Sequence, residues 1–472
     1  MSDSSERTPN RKWKSFTKNW EFKIAIFVIL YFVFSHYVLE NTHTVRERGL
    51  RKHLKVIPEE VIAYYGKQPL DDPEKLAYVQ YATNYDYLNL AIMNFVHLRK
   101  GNTQVPNLVI LYDEILQHYA TDRWNNLYQL ANQYNITLKS VALIKVDYND
   151  DTPWAASFTK FHVFNQVEFD RVVFFDSDSM LVKPEYKDGE ISSTYSNIDE
   201  LFKIPKELEF VLPQAYWLNN VVEGKSPLKY RKKLEIPDNR RYGLRMRKLV
   251  NDISDTKDWR LLPSLIFEAH KFDNPINFFA NHVMVVTPSK TTFDRIMGYV
   301  HNPIHWSLTN RQNLRKKSEY DMEILNKYLD NELKKGNTNV GILPHRVYGV
   351  LTGEFREQWH ERFVVEPQYL PFIKKRSNHG WDPKKTLQKI KLIHFSDSPI
   401  PKPWEVDDDE DEDYDHHYNA KLIYCKTGNM TEYRRKYSHF KPRLVDDCDS
   451  VDIWNWFRKQ LIRDQEGLWY SK

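Results

Sequence analysis

Cysteine is scarce in this chain, which has Cys425 and Cys448 as its two thiols among 472 residues. Neither belongs to a CxxC pair, so a zinc site built on thiolates is excluded. The spacing of the two residues permits one disulfide that closes a short loop, and it equally permits two separate thiols. Cysteine therefore supplies at most one covalent link to the fold.

A strong net charge is also missing, because the formal charge is +4 at pH 7. A chain with so weak an overall field is not expected to bind nucleic acid. Internal repeats are absent from the sequence as well.

Aromatic residues are plentiful at 14%. This content suits stacking on sugar rings or nucleobases, and it equally suits an aromatic core. The length is enough for one large domain or two ordinary ones.

Residues 24–39, IAIFVILYFVFSHYVL, form a long apolar run at the short end of what spans a bilayer. No small-x-small site follows the run, which disfavours a cleavable signal peptide. The run is apolar on every face, which disfavours a buried core helix. Six basic residues precede it against three acidic ones, and positive charge stays in the cytosol. The pattern predicts a signal-anchor transmembrane helix with residues 1–23 as a cytosolic tail.

Two glycosylation sequons agree with a luminal C-terminal part, at Asn135-Ile-Thr137 and Asn429-Met-Thr431. A short cytosolic tail, one span and a luminal body describe a single-pass type II membrane protein. This layout is typical of Golgi enzymes, so we predict a Golgi membrane location.

Residues 40–75 carry many charges without a strong period and are predicted to form a stem. Strands and helices then alternate at short intervals, which predicts an α/β fold with a mostly parallel central sheet. Ligands of such sheets bind beyond the carboxyl ends of the strands. The expected elements are a strand at 77–82, a helix at 85–100, a strand at 107–112, a helix at 121–134, a strand at 141–146, a helix at 157–167 and a strand at 171–175.

Two charged stretches interrupt this pattern. Residues 225–248 hold ten Lys or Arg and two acidic residues. They are read as a basic insertion, either a solvated loop or a surface that faces acceptor or phosphate. Residues 407–415 hold eight acidic residues in nine positions, which predicts a disordered acidic loop.

The motif VVFFDSDSMLV at 172–182 carries the clearest chemistry. An apolar strand delivers Asp176 and Asp178 at the carboxyl edge of the sheet, and alternation places both on one side of an extended chain. Two converging carboxylates repel unless a cation lies between them. Hard cations such as Mg²⁺ or Mn²⁺ prefer these oxygen ligands, and a substrate diphosphate commonly completes their shell. The motif therefore predicts a divalent metal site.

The motif has two other interpretations. One is a plain turn with two capping Asp residues. The other is a phosphatase of the haloacid-dehalogenase type, in which the first Asp is the nucleophile. Such phosphatases usually have Thr or Val two residues beyond the second Asp, where this chain has Met180, and their motif tends to open the domain. Three predicted strands precede the motif here.

Several segments together resemble glycosyltransferase family eight, the glycogenin-like retaining transferases. The segments are TNYDY (83–87), SFTKFHVF (157–164), DSDSMLV (176–182), DMEILN (321–326) and LIHFSDSPIPKPW (392–404). The resemblance spans about residues 77–404. It implies a GT-A type, Rossmann-like domain that binds a nucleotide sugar, which we place at 76–404, with residues 405–472 as an acidic loop and C-terminal extension.

The resemblance also implies roles for individual residues. Asp176, Asp178 and His394 match the metal ligands of that family. Lys160 and Lys402 match lysines that approach the donor and its diphosphate, while Thr83, Asn84 and Tyr87 match residues that contact uridine. Asp321 matches an acidic or amide residue near the sugar and is the candidate catalytic residue.

The sequence departs from the family pattern in two places. The family usually has FNxGV before a strand, whereas this chain has FFANHVMVV at 278–286, with Asn281 and His282 where an Asn–small–Gly pattern is expected. The spacing from His394 to the KPW at 402–404 is two residues longer than usual. Contacts to the donor sugar and the acceptor are therefore less defined than the metal site.

Within the family, the layout is most similar to fungal Golgi N-acetylglucosaminyltransferases. This similarity implies a retaining enzyme that uses Mn²⁺ or Mg²⁺ and moves GlcNAc from UDP-GlcNAc to a mannose-containing glycan. Transfer of glucose or galactose stays open as an alternative, as does a glycan-binding protein that holds a metal without catalysis.

Overall fold

The computed structural model describes residues 20, 23–34, 52–146, 152, 154–187, 190–215, 239–264, 279–301, 319–352, 382–395, 424–425, 444–445 and 451–469. Lys402, the acidic run at 407–415, Asn429 and Cys448 lie outside these residues.

Fifteen short strands are present among the described residues. They are β1 (Leu54–Val56), β2 (Leu76–Ala82), β3 (Asn107–Asp113), β4 (Thr137–Val141), β5 (Arg171–Phe175), β6 (Ser179–Leu181), β7 (Pro184–Lys187), β8 (Glu190–Ser193), β9 (Phe210–Leu212), β10 (Val283–Val286), β11 (Val340–Ile342), β12 (Val350–Leu351), β13 (Leu392–His394), β14 (Tyr424–Cys425) and β15 (Leu444–Val445).

Helices connect and flank the strands. They are α1 (residues 23–34), α2 (Glu59–Gly66), α3 (Tyr85–Lys100), α4 (Leu116–Tyr119), α5 (Thr121–Gln133), α6 (Asn239–Thr256), α7 (Lys290–His301), α8 (Asp321–Lys335), α9 (Pro383–Leu387) and α10 (Val451–Trp469). Four 3₁₀ segments, at Pro73–Lys75, Ser157–Asn165, Asp199–Lys203 and Trp259–Leu261, and one π-helical turn, at His345–Gly349, complete the described elements.

The central sheet has eight strands in the order β1-β11-β9-β10-β5-β2-β3-β4. Every neighbouring pair is parallel except the two pairs that β10 makes with β5 and β9. The predicted α/β fold with a mostly parallel sheet is therefore confirmed. Side chains alternate along the strands, so Tyr78 and Phe175 enter the apolar cluster on one face while Val79 and Phe174 enter the cluster on the other.

Most of the predicted elements lie within a residue or two of the observed ones. The strand at 171–175 and the helix at 85–100 have the bounds that the sequence predicts. The helix at 157–167 forms instead as a 3₁₀ segment, Ser157–Asn165.

The strand predicted at 141–146 is wrong. The fourth strand along the chain is β4, which begins four residues earlier, at Thr137. It pairs in parallel with β3 from Thr137↔Val109 to Val141↔Asp113. Its residues are half-buried or exposed because β4 is an edge strand. The apolar side chains of Ile144 and Val146 pack against the core from the connection that follows β4, which produces a strand-like apolar run without a strand.

The folded part begins before residue 76. Strand β1 is an edge strand of the central sheet and pairs in parallel with β11. Val61 and Ile62 of α2 are buried in the core. Residues 54–66, which fall in the stretch predicted as a stem, therefore contribute to the sheet and to its core.

A second, three-stranded sheet has the order β12-β13-β6. Behind it lies a separate apolar cluster to which Met180 of β6 and Ile393 of β13 contribute. Ile453, Trp456 and Phe457 of the C-terminal helix α10 also belong to that cluster. The indole N–H of Trp456 donates to the backbone oxygen of Ile191 at 3.0 Å. The C-terminal helix thus supports the small sheet from one side.

Helix α1 covers the described part of the predicted membrane segment, and all of its residues from 23 to 34 are exposed. Across the described ranges, none of the helices combines the length and the apolar character needed to cross a bilayer.

Candidate metal centre

The aspartates of the DSD motif lie in the turn between β5 and β6. Three backbone hydrogen bonds fix this turn. The N–H of Asp176 donates to the oxygen of His282 at 2.8 Å, the N–H of Ser179 donates to the oxygen of Asp176 at 3.0 Å, and the N–H of Phe395 donates to the oxygen of Asp178 at 2.9 Å. The turn is therefore tied to β10 on one side and to β13 on the other.

Strand pairing brings His394 to the aspartates across more than two hundred residues of sequence. Strand β13 runs antiparallel to β6 with His394 opposite Ser179, and β12 pairs in parallel on its other side with Leu351 opposite His394. The histidine is thus the last residue of a strand that lies beside the DSD turn. Its position depends on sheet register as well as on side-chain contacts.

The three predicted metal ligands converge. His394 Nε2 lies 3.1 Å from Oδ1 of Asp178 and 3.6 Å from Oδ2 of Asp176. One ligand atom from each residue lies within 4.8 Å of the other two. Two carboxylates and one imidazole are a donor set that Mn²⁺ and Mg²⁺ accept. The residues present therefore fit a divalent cation.

A buried lysine joins this centre to helix α8. Lys160 Nζ is 3.1 Å from the Asp176 carboxylate and 2.7 Å from Oδ2 of Asp321, with 4% of the lysine side chain exposed. The side-chain amide of Asn281 donates to the same Oδ2 of Asp321 at 2.8 Å and its oxygen accepts from Lys160 at 3.4 Å. Lys160 and Asp321, both predicted from the sequence, thus belong to one network with Asp176.

The charges of this network favour a bound cation. Burial raises the pKa of Asp176 to about 6, against the opposing effect of Lys160. Burial would also raise the pKa of Asp321, but the Lys160 ammonium and its hydrogen bond hold it below the ordinary value. Three carboxylates and one ammonium leave a formal charge of −2, since Asp178 adds the third carboxylate. A divalent cation would neutralise that charge.

Thr83, Asn84 and Tyr87 lie just beyond the carboxyl end of β2, which is the neighbour of β5 in the sheet. The Asn84 side chain accepts from the backbone N–H of Tyr87 at 2.9 Å and caps α3. The Tyr87 ring is half-buried and packs on the core. All three are at the expected edge of the sheet, and their contact with uridine stays a prediction.

Sequence reasoning missed three residues that contribute to the centre. Tyr81 has its ring 5.9 Å from Lys160 Nζ. Asn281 bridges Lys160 and Asp321. The ring of His282 stacks on His394, with 4.9 Å between centroids and 27° between planes. Burial lowers the pKa of His282 well below its ordinary value. Asn281 and His282 depart from the family pattern in the sequence, and this departure is the available signal.

The chain is similar to known proteins in sequence and in structure, although no family model matches it. Solved structures similar to it include the galactosyltransferase LgtC in complex with donor and acceptor sugar analogues, with a TM-score of 0.36, 11% identity, and 70% of this chain and 89% of that chain covered. The glycosyltransferase GlyE of Streptococcus pneumoniae has a TM-score of 0.35 and 13% identity over 82% of this chain and 64% of that chain.

The sequence similarity is far stronger. Glucose N-acetyltransferase 1 of Candida albicans is 64% identical over 461 residues, which are 97% of this chain and 98% of that protein. The chain belongs to the glucose N-acetyltransferase 1 family. The relative of that name from Debaryomyces hansenii is 44% identical over 467 residues, 96% of this chain and 97% of its own. Membership of the glucose N-acetyltransferase 1 family confirms the predicted enzyme, a hexosyltransferase.

Proposed function

We propose that the chain is a metal-dependent, retaining glycosyltransferase of the GT-A type. It moves N-acetylglucosamine from UDP-GlcNAc to a mannose-containing glycan. The observation that carries the proposal is the convergence of Asp176, Asp178 and His394, with one ligand atom of each within 4.8 Å of the others, at the carboxyl edge of a mostly parallel sheet. The names of the family's members support transfer of an N-acetylated sugar.

Asp176, Asp178 and His394 would hold a Mn²⁺ or Mg²⁺ ion. When bound, that ion would neutralise the negative charge on the leaving diphosphate as a Lewis acid. The chain itself contributes fixed charges that need no rearrangement during the reaction. Lys160 is kept protonated, because Asp176 and Asp321 raise its pKa above the ordinary value despite its burial.

Lys160 has two roles in this proposal. In the structure it balances Asp176 and Asp321, which would otherwise repel each other across a buried space. On the donor side it places a positive charge beside the metal ligands, where a diphosphate oxygen would lie. Asp321 is held ionised by Lys160 and Asn281, so it acts as a charged group near the sugar rather than as a proton donor. Lys402 would add positive charge to the diphosphate.

The uridine would lie over the carboxyl end of β2, against Thr83, Asn84 and Tyr87. The Asn84 side chain is already held in the cap of α3, where its oxygen accepts from the backbone N–H of Tyr87. An aromatic pair is formed by Tyr320, the residue before Asp321, and the exposed ring of Trp154. The centroids of the two rings are 5.9 Å apart. Such rings suit the apolar face of a sugar.

A direct test is to incubate the purified chain with Mn²⁺, a mannose oligomer and a panel of UDP-sugars. We expect release of UDP and a glycosylated oligomer with UDP-GlcNAc, and loss of both after chelation of the metal. Faster turnover of UDP-glucose or UDP-galactose would contradict the donor. Binding of glycan without UDP release would favour the non-catalytic alternative, and release of inorganic phosphate without transfer would favour a phosphatase.

We further propose that the enzyme is a single-pass type II protein of the Golgi membrane, anchored through residues 24–39 with its catalytic part in the lumen. The charge pattern around the anchor supports this orientation. The exposure of Phe27 and Phe34, of which 70% and 67% are accessible, supports insertion of the segment into a membrane. Asn135 of the first sequon is exposed in the turn before β4, where a glycan would fit.

Glycosidase treatment of the cell-derived protein should therefore lower its apparent mass, and Asn135→Gln should reduce that shift. Asn107→Gln is a matched control, because Asn107 is a strand residue outside any sequon. An unglycosylated protein whose N-terminal tail is protected from added protease would contradict the orientation.

A further inference from the structure

Among the described residues, the second ring nitrogen of His394 finds no hydrogen-bond partner, although such a bond usually orients a metal-binding histidine. Such a histidine normally donates its second ring N–H to a carboxylate, a carbonyl or a water. Here Nε2 faces the two aspartates, while Nδ1 is buried and has no hydrogen-bond partner among the described residues. Within the described part of the chain, a contact other than this hydrogen bond therefore sets the plane of the ring.

The ring of His282 covers one face of that imidazole. The two centroids are 4.9 Å apart and the planes are inclined by 27°, so the rings lie nearly parallel. The side chain of His282 is 4% exposed. A flat, buried ring at this distance restricts rotation of His394 about its Cβ–Cγ bond, because any large rotation would bring the two rings into collision.

His282 is itself fixed to the same backbone as the aspartates. Its carbonyl oxygen accepts the N–H of Asp176 at 2.8 Å. The next residue, Val283, opens β10 opposite Phe175, the last residue of β5. One rigid junction of two strands thus holds both a metal-binding carboxylate and the ring that covers the metal-binding imidazole.

We propose that His282 is a positioning residue of the metal centre: the face of its ring holds the His394 imidazole in the orientation that directs Nε2 at the cation. The inference rests on the metal site of the proposed function. It assigns the role to the ring face and not to a nitrogen of His282, so an aromatic residue without nitrogen should replace it. A residue of similar volume without a flat face should not.

The test compares His282→Phe with His282→Leu in the full-length chain, purified in detergent. Binding of Mn²⁺ is measured without donor, from the loss of the free-ion signal in electron paramagnetic resonance. We expect the Phe variant to bind as the wild type does. The Leu variant should bind about tenfold more weakly, the lower end of the usual effect of outer-shell changes on metal affinity.

A matched control is His162→Leu, because His162 also stacks on a ring, Phe293, at 5.7 Å and 24°. This control should lower the unfolding temperature without changing Mn²⁺ affinity. Wild-type affinity in His282→Leu, or equal weakening in the Phe and Leu variants, would overturn the inference. Absence of Mn²⁺ binding by the wild type would instead overturn the metal site itself, so the two failures are distinguishable.

Discussion

Asp178→Asn should reduce the turnover number by at least about 10²-fold at saturating Mn²⁺, because the ion that would neutralise the leaving diphosphate loses one of its charged ligands. The amide keeps the shape of the side chain and a polar atom beside His394, 3.1 Å away in the structure. It lacks the negative charge that binds a hard cation. Initial rates of UDP release from UDP-GlcNAc, with a mannose oligomer as acceptor, measure the effect.

The fold should survive this substitution. Asp178 repels Asp176 and helps to raise its pKa, after burial as the main cause, so its neutralisation should not destabilise the metal-free protein. Circular dichroism and the unfolding temperature check this point. Asp170→Asn is the control, because Asp170 pairs with Lys206 on the surface, with about half of each side chain exposed. A wild-type rate for Asp178→Asn in Mn²⁺ would contradict the metal assignment.

Lys160→Met should lower the free energy of unfolding by about 3–5 kcal/mol, the usual cost of removing one partner of a buried ion pair. Asp176 and Asp321 would remain buried without their shared cation. Urea unfolding followed by circular dichroism measures the loss. Adding Asp321→Asn to the same chain should restore part of it, since one of the two uncompensated carboxylates is then neutral. Transfer activity should fall strongly in the single variant.

A second buried ion pair provides a control that distinguishes an effect on stability from an effect on catalysis. Lys327 pairs with Glu319, and each side chain is 6% exposed. Lys327→Met should therefore cost a similar free energy of unfolding while leaving the charges at the metal centre unchanged. If both lysine variants lost activity in proportion to stability alone, Lys160 would have a structural role only. Unchanged stability of Lys160→Met would contradict the buried network.

The sequence predicts the inner strands β2, β3 and β5 because they are largely apolar runs of five to seven residues. The inner strands β9 and β11 have three residues each and were not predicted. The strands at 77–82, 107–112 and 171–175 each lie within observed strands. Edge strands carry a weaker signal. Strand β4 is half-exposed, and β1 has three residues within a charged stretch. Their pairing depends on partners distant in sequence, which no local pattern reveals.

The convergence of Asp176, Asp178 and His394 was predictable from the resemblance to a known family, because each residue lies at the end of an apolar strand in a recognisable motif. Strand register then brings His394 to the aspartates. The positions of Asn281 and His282 were not predictable in the same way. Their roles depend on the antiparallel insertion of β10 between β9 and β5. An apolar run indicates that a strand is present. It does not indicate the direction of that strand in the sheet or the strands that pair with it.

Anomalous diffraction at the manganese edge, from crystals grown with Mn²⁺ and UDP, would show whether the three side chains bind one ion. We expect one strong peak between Asp176, Asp178 and Nε2 of His394, with the diphosphate on its open side. A peak elsewhere, or an imidazole of His394 turned away from an ion held by other groups, would contradict it.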